Sequence, residues 1–285
     1  MLSFITWDID PEAFNLLGRE VRWYGICWAI GVLCTSMVVQ KIFQKEKHPE
    51  KWFDSLFLYV VIGLLVGARL GHCLAYSPEY YLSNPLEIFK VWEGGLASHG
   101  GAAGMALAVW IHSRRITKMG IIWSLDRLIV GIGIGAAFIR VGNLMNSEVY
   151  GAPTTLPWGF NFVRDRAWHM PLDMGGSGEL PCHPTQIYEA LIYLAIFGLT
   201  LYMFWKTNAK EKKGLILGVA LIGIFLSRIF IEMIKNVQEP FEVQMRATYG
   251  LDMGQILSIP FVLWGIWLVW NALRKKDVTI INNKK

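Results

Sequence analysis

The sequence predicts an all-α polytopic membrane protein with seven transmembrane helices. Three observations predict it: 54% of its 285 residues are hydrophobic and only 17% charged, apolar runs recur at membrane-spanning length, and lysines and arginines alternate from loop to loop. A soluble core of this size has no use for so much apolar surface, so lipid is the expected solvent for most of the chain. A bilayer core about 30 Å thick takes roughly 20 apolar residues per helical crossing.

The first run, Tyr24 to Phe43, follows a stretch with no basic segment and no small-residue cleavage site, so it is expected to be retained rather than removed as a signal peptide. The second, Trp52 to Tyr76, carries Gly63, Gly67 and Gly71; the third, Gly94 to Ile111, carries Gly100 and Gly104; the fourth, Trp123 to Met145, carries Gly131 and Gly135. Glycines spaced by four place small faces on the helices and let backbones approach, which says bundle without saying enzyme. Between the fourth and fifth runs, residues 146–184 replace the apolar pattern with proline, glycine, tryptophan and mixed charge. That length and composition predict a small folded cap on the outer side, with Trp158, Trp168, Phe160 and Phe162 touching the membrane surface. The last three runs are Thr185 to Trp205, Gly214 to Ile234 and Asp252 to Leu273. No internal repeat is visible, and residues 1–285 read as a single integral membrane domain.

Loop charge sets the orientation. Lys45, Lys47 and Lys51, then Arg114, Arg115 and Lys118, then Lys206, Lys210, Lys212 and Lys213, then Arg274, Lys275, Lys276, Lys284 and Lys285 follow the odd-numbered spans. Only Arg19, Lys90, Arg164, Arg166, Lys235 and Arg246 fall on the other side. Positive charge is retained in the cytoplasm, so the N-terminus is expected outside and the C-terminus inside. The net charge of +5 reads as topology and attraction to membrane lipids, with no nucleic acid implied. Cys27, Cys34, Cys73 and Cys182 show no CxxC or Cys/His spacing, so neither a metal, a disulfide nor any other cofactor is expected.

The informative residues are those that do not belong in lipid. An ionisable group at mid-bilayer costs about 2.5–3.5 kcal/mol or more, so each needs a partner or a wet cavity. Asp126 and Arg127, near the cytoplasmic end of span four, are expected to pair with one another or snorkel to the interface. Arg228 and Glu232 are spaced for an intrahelical ion pair. Arg69, His72, His99, Arg140 and Arg228 with Glu232 share the outer half of their spans, which predicts one polar cavity open to the outer leaflet. Arginine suits such a cavity because its planar guanidinium stays charged and grips phosphate through paired hydrogen bonds.

From Arg140 the chain reads Arg-Val-Gly-Asn-Leu-Met-Asn-Ser-Glu-Val-Tyr-Gly, to Gly151. This resembles the signature segment of the prolipoprotein diacylglyceryl transferases. Arg22-Trp23-Tyr24-Gly25, Gly67 to Gly71, Pro85 to Ile88, Trp92-Glu93-Gly94-Gly95 leading to His99-Gly100-Gly101, His183 to Glu189, Arg228 to Glu232 and Gly254 to Ser258 follow in that family's order. The resemblance covers essentially the whole chain. It departs at Ile139, Leu144, Ser98 and Ile224, where the family more often has glycine, an aromatic, an aromatic and tyrosine.

The resemblance implies transfer of the diacylglyceryl group of phosphatidylglycerol to the lipobox cysteine thiol of a preprolipoprotein, with release of glycerol phosphate, in the bacterial inner membrane. It implies His99 as base, Arg140 and Arg228 as the catalytic cations, and Arg140, Tyr24, Asn143, Glu148 and Gly151 as the phosphatidylglycerol site, with Glu232 and Arg69 in support. A thiol of pKa about 8.5 is mostly protonated at neutral pH, so a base beside it accelerates attack, and fixed cations stabilise a phosphate leaving group. Taken without the resemblance, His99 reads equally as a histidine bonded to a neighbouring backbone, Glu232 as the holder of Arg228, and His183 and Glu189 as structural or helix-capping groups. Two other classes compete. A transporter predicts polar groups on both sides of the midplane, whereas the inner half reads as largely apolar. An intramembrane serine protease predicts a serine motif with a paired histidine, and none is seen.

Overall fold

The computed structural model of the chain describes residues 4–274 except 17, 76–77, 91–94, 96, 173–175, 237–244 and 246–247, and it describes no side chain at Ala75, Ser98 or His99. Trp92, Glu93, Gly94, Arg246 and the lysines beyond Arg274 lie outside the described residues.

The helices are α1 (Trp23–Lys45), α2 (Glu50–Ala75), the short α3 (Pro78–Ser83), α4 (Ser98–His112), α5 (Ile121–Met145), the single turn α6 (Arg166–His169), α7 (Thr185–Lys206), α8 (Leu215–Glu232) and α9 (Met253–Arg274). Six of them, α1, α2, α5, α7, α8 and α9, are long and apolar enough to cross a membrane. The expected third span corresponds to α4, which has 15 residues and runs on into a π-helical turn at Ser113–Thr117. Leu33, Leu74, Leu191 and Leu263 on four of the six are each more than 60% exposed. Leucines laid open on helices of this length have lipid as their solvent.

The chain divides into two compact units, with the division falling inside α1 and α5. One holds residues 38–128. Its α2 and α4 pack backbone on backbone: a Cβ added to Gly104 would stand 2.0 Å from the Gly63 carbonyl oxygen, and one on Gly100 would stand 2.3 Å from that of Gly67. The glycine spacing read from the sequence is therefore the α2–α4 contact itself.

In this same unit Arg127 is buried and forks onto Glu46, Nε to Oε2 at 3.0 Å and an Nη to Oε1 at 2.8 Å, beneath a Trp123 ring 4.3 Å away. The sequence had offered snorkelling or pairing with Asp126, and the structure adds Glu46 as a partner of a buried Arg127. Glu46 lies one turn beyond the apolar part of α1, and folding brings it to a residue 81 positions later. His112 is also buried, with its Nε2 3.0 Å from Ser55 Oγ, so this unit carries more buried polar groups than its apolar pattern suggested.

The other unit comprises residues up to 37 and from 129 onward. Here α8 packs against α9 and α7, with Gly218 facing Gly265, and α1 meets α5 where Thr35 Oγ1 donates to the Gly131 carbonyl at 2.9 Å. The connection from α5 to α7 has a core of its own: Leu144, Tyr150, Phe160, Phe162, Trp168 and Cys182 are buried together. Three of the four aromatics expected on the membrane surface are thus inside this core, and Trp158 alone is half exposed. A single compact loop buries large rings because they remove the most apolar area per residue.

Strand β1 (Ile5–Thr6) joins β4 (Phe160–Asn161) in parallel, and Trp7 Nε1 donates to the Leu144 carbonyl at 2.9 Å, so the N-terminal segment is stitched into the same core. Strands β2 (Glu12–Leu16) and β3 (Arg19–Arg22) form an antiparallel hairpin before α1.

Candidate active site

The last turn of α5 organises the site. Arg140 and Asn143 are one turn apart, and an Arg140 Nη donates to Asn143 Oδ1 at 3.2 Å; Asn143 Nδ2 in turn donates to Glu148 Oε1 at 2.8 Å. Between them the helix ends and the chain doubles back through Ser147 and Val149, both at positive φ. A β-branched residue in the left-handed region costs of order 1–3 kcal/mol and persists only where its surroundings impose it.

The start of α7 imposes it. Gln186 Nε2 donates to the Glu148 carbonyl at 2.6 Å, Thr185 Oγ1 to that of Val149 at 2.8 Å, and the Gly151 amide to that of His183 at 2.8 Å. Gly151 is where two chain segments nearly touch: a Cβ there would lie 2.5 Å from the Ile234 carbonyl oxygen and 2.8 Å from the His183 and Thr185 side chains. Tyr24, in the first turn of α1, covers Gly142, where a Cβ would stand 3.0 Å from its ring.

Glu189, one turn beyond Gln186, is fully buried and sets Oε2 3.1 Å from Arg140 Nε. Tyr193, a further turn along α7, lies close to the same guanidinium. From the other side, Lys235 Nζ lies 3.4 Å from Glu189 Oε1 and 3.3 Å from Glu232 Oε1, and Glu232 Oε1 lies 3.3 Å from Arg228 Nε. The expected Arg228–Glu232 pair is present, as one end of a longer chain. Glu232 also rests on the first turn of α9, where Gly254 leaves room for its carboxylate and a helix N-terminus favours an anion. Asp252 and Gln255 cap that helix reciprocally, amide to side chain at 2.8 and 3.1 Å.

The geometry separates these arginines from Arg127. Glu189 Oε2 and Arg228 Nε, though within ion-pair distance of their partners, make no aligned hydrogen bond. Arg140 and Arg228 are held by charge without both edges of the fork being spent on a carboxylate, whereas Arg127 is locked by two such bonds. A guanidinium so placed keeps donors for the planar, two-point grip that phosphate oxygens offer.

The structure therefore gathers Tyr24, Arg140, Asn143, Glu148, Gly151, Arg228 and Glu232 in one unit. Arg69 belongs to the other, and it binds backbone: its Nε donates to the Ile88 carbonyl at 2.9 Å and its two Nη atoms to those of Glu87 and Gly95 at 2.6 and 3.3 Å. Those bonds fix the 3₁₀ turn Pro85–Phe89 and the approach to α4. His99 stands in the first turn of α4, and its side chain lies outside the described residues.

Sequence reading gave Glu189 only a structural or helix-capping part and Lys235 only that of a loop charge, and it passed over Tyr193. The signal for Glu189 was available: a glutamate one turn into an apolar span demands a buried cation.

Outside the spans, burial raises the pKa of the Tyr150 hydroxyl, and the Asp165 carboxylate that accepts its hydrogen bond adds to the effect. Burial likewise pushes the Cys182 thiol up and the His183 imidazole down. All three shifts favour the neutral form at pH 7.

Comparison with known proteins agrees with this architecture over nearly its full length. The family described as prolipoprotein diacylglyceryl transferase matches residues 11–271. The chain is 54% identical, over 95% of its own length and 96% of the relative's, to the phosphatidylglycerol–prolipoprotein diacylglyceryl transferase of Porphyromonas gingivalis. It is 41% identical to the enzyme so named from Chloroherpeton thalassium, over 97% of both chains, and 40% identical to that of Bacteroides fragilis, over 98% of this chain and 99% of the relative. Six membrane-compatible helices, a strained loop that sets Glu148 against Asn143, and likeness of this extent place the protein in the membrane, and the chain belongs to the family of prolipoprotein diacylglyceryl transferases.

Proposed function

We propose that this chain transfers the sn-1,2-diacylglyceryl group from phosphatidylglycerol to the lipobox cysteine of a preprolipoprotein, the first step of lipoprotein lipidation. The observation that carries the reading is the pair of partly exposed arginines, Arg140 and Arg228, tied into one network yet not locked by forked carboxylate bonds.

In the reaction the cysteine sulfur forms a bond to the glycerol carbon that bears the phosphate. The carbon–oxygen bond breaks, and its electron pair leaves with glycerol phosphate. The headgroup begins as a monoanionic diester and departs as a monoester with a second ionisation, so negative charge grows on the oxygens that Arg140 and Arg228 face. Asn143 and Glu148 orient the headgroup, Tyr24 donates to it, and Gly151 leaves it room. His99 takes the thiol proton, and Glu232 holds Arg228. Arg69 supports the site indirectly, through the turn before α4. The thiol belongs to the substrate, so the chemistry needs no cysteine of the enzyme.

In this reading α4 with its π-turn is the seventh span, and the whole chain works as one integral domain of the bacterial inner membrane. The N-terminus and the folded 146–184 connection lie outside, and the site faces the outer leaflet, where both lipid substrate and signal peptide reach it. Purified protein incubated with labelled phosphatidylglycerol and a lipobox peptide should give the thioether-linked diacylglyceryl peptide and free glycerol phosphate in equal amounts. Phospholipid hydrolysis without peptide modification, or no reaction at all, would overturn the assignment.

A further inference from the structure

The loop after α5 is held in two ways. Its amides meet backbone: those of Ser147, Glu148 and Gly151 donate to the Leu144, Asn143 and His183 carbonyls at 2.9, 3.1 and 2.8 Å. The carbonyls of Glu148 and Val149 meet side chains instead, Gln186 Nε2 at 2.6 Å and Thr185 Oγ1 at 2.8 Å. Those two carbonyls belong to the rigid peptide planes before and after Val149, so the two bonds act on the two free dihedral angles of that one residue. Its φ is 64°, and a β-branched residue in the left-handed region is disfavoured by roughly ten- to a hundredfold in population.

Thr185 and Gln186 are both fully buried in the first turn of α7, where a hydroxyl and a carboxamide are costly unless bonded. Both spend their donors on this loop. Thr185 does so at the start of a helix that has no side-chain cap, and Gln186 Oε1 has no hydrogen-bond partner among the described residues. What depends on Val149 is the residue before it. Glu148 Oε1 accepts from Asn143 Nδ2 at 2.8 Å, and Asn143 Oδ1 accepts from an Arg140 Nη at 3.2 Å. A return of Val149 to extended backbone would redirect the chain between Glu148 and Gly151, and the two could not both keep their places.

We propose that Thr185 and Gln186 are positioning residues: by gripping the carbonyls on either side of Val149 they hold it left-handed, which aims Glu148 at Asn143 and so orients Arg140 for the lipid phosphate. This rests on the phosphatidylglycerol reading above and adds to it two residues that never touch the lipid.

The test uses the full-length enzyme in mixed micelles with phosphatidylglycerol and a lipobox peptide. Gln186→Met keeps the length of the side chain and deletes the donor, and kcat/KM should fall about tenfold or more, the scale of the disfavoured conformation. The discriminating step adds Val149→Gly, since glycine takes a positive φ without penalty. In the Gln186→Met background Val149→Gly should recover kcat/KM by about fivefold or more, whereas in the wild-type background it should leave kcat/KM within about threefold. A role in packing alone predicts the opposite sign, because a glycine only loosens a loop that has already lost a contact. Hydrogen exchange over residues 147–152 supplies a readout apart from catalysis: it should quicken about tenfold in Gln186→Met and slow again in the double variant.

Undiminished kcat/KM in Gln186→Met, a double variant no better than the single, or loss of activity in Val149→Gly alone would overturn the proposal. Should Gln186→Met not fold, Thr185→Val, which keeps the branched shape and deletes the hydroxyl, decides by the same comparison with and without Val149→Gly. An inactive wild type would remove the functional reading, and with it the role in orienting Arg140, while the exchange rates would still show whether the two side chains hold Val149.

Discussion

Arg127, buried, and Arg140, partly exposed, each stand against a glutamate, and their geometry gives them different work. Arg127 spends two nitrogens on Glu46, while Arg140 meets Glu189 at a single Nε and reaches Asn143 with an Nη. Arg140→Lys keeps the charge and loses the fork. Transfer activity should fall by about 10² or more, the scale set by removing one donor to a developing oxyanion. Folding in the membrane should persist, and near-normal activity in purified Arg140→Lys would show that the paired geometry is irrelevant. For His99 the decisive variable is pH. If its imidazole takes the thiol proton, His99→Gln should lose turnover while still binding lipid, and the deficit should shrink from about pH 6.5 to 9.5 as the substrate thiol ionises unaided. Single-turnover rates in a constant ratio to wild type across that range would leave His99 a packing or hydrogen-bonding role. The charges within spans stood out by residue type alone, whereas Tyr24, Asn143, Glu148 and Gly151 were named only through the family resemblance. Lys235 escaped because at a span's end it reads as an ordinary loop charge.

At the level of elements, the contact between α2 and α4 is set by the absence of side chains. Because a Cβ on Gly104 would fall 2.0 Å from the Gly63 carbonyl, Gly104→Leu must push the helices apart. A loss of about 1–3 kcal/mol or more is expected for such overpacking, read as a lowered unfolding temperature in detergent; an unchanged temperature would mean that the two helices do not pack this closely. The α5–α7 connection offers a pH test. His169 places Nδ1 2.9 Å from Glu179 Oε1 and Nε2 2.9 Å from the Val163 carbonyl oxygen, so both ring nitrogens face acceptors. The Glu179 hydrogen bond first, then that to Val163, raises the histidine above its ordinary value. A raised folded value means that the stabilisation is complete below the unfolded pKa, about 6.5, and is lost as pH climbs through the folded one. Protease cleavage between Val163 and Leu180 should accordingly quicken above neutrality, and Glu179→Gln should flatten the profile. Equal pH dependence in both proteins would remove His169 as the cause. The sequence showed that this connection folds, but its aromatics pointed to the membrane surface; Phe160, Phe162 and Trp168 turn inward because the N-terminal strand closes over them, a pairing across more than 150 positions that no local pattern reveals.

For the whole molecule, orientation is the property on which the outer-leaflet site depends. A single cysteine at Thr154 in an otherwise cysteine-free variant should react with an impermeant thiol reagent added to intact cells, and one at Lys210 should react only after the membrane is opened; the reverse pattern would put the site on the wrong face. What the sequence determined by itself is whatever depends on local composition: helical spans, because twenty apolar residues in lipid must satisfy their own backbone hydrogen bonds, the close-packing glycine faces, and the ordered motifs that carry the family. What only the tertiary structure decided is which charges share a partner. Arg69 proved to hold backbone carbonyls, Arg127 a distant glutamate, and Arg140 and Arg228 the two ends of a five-charge chain. The physical reason is that burial compels an ionised group to find a counter-charge but not a particular one, and the choice is made by the three-dimensional convergence of α5, α7 and α8, not by any spacing along one helix.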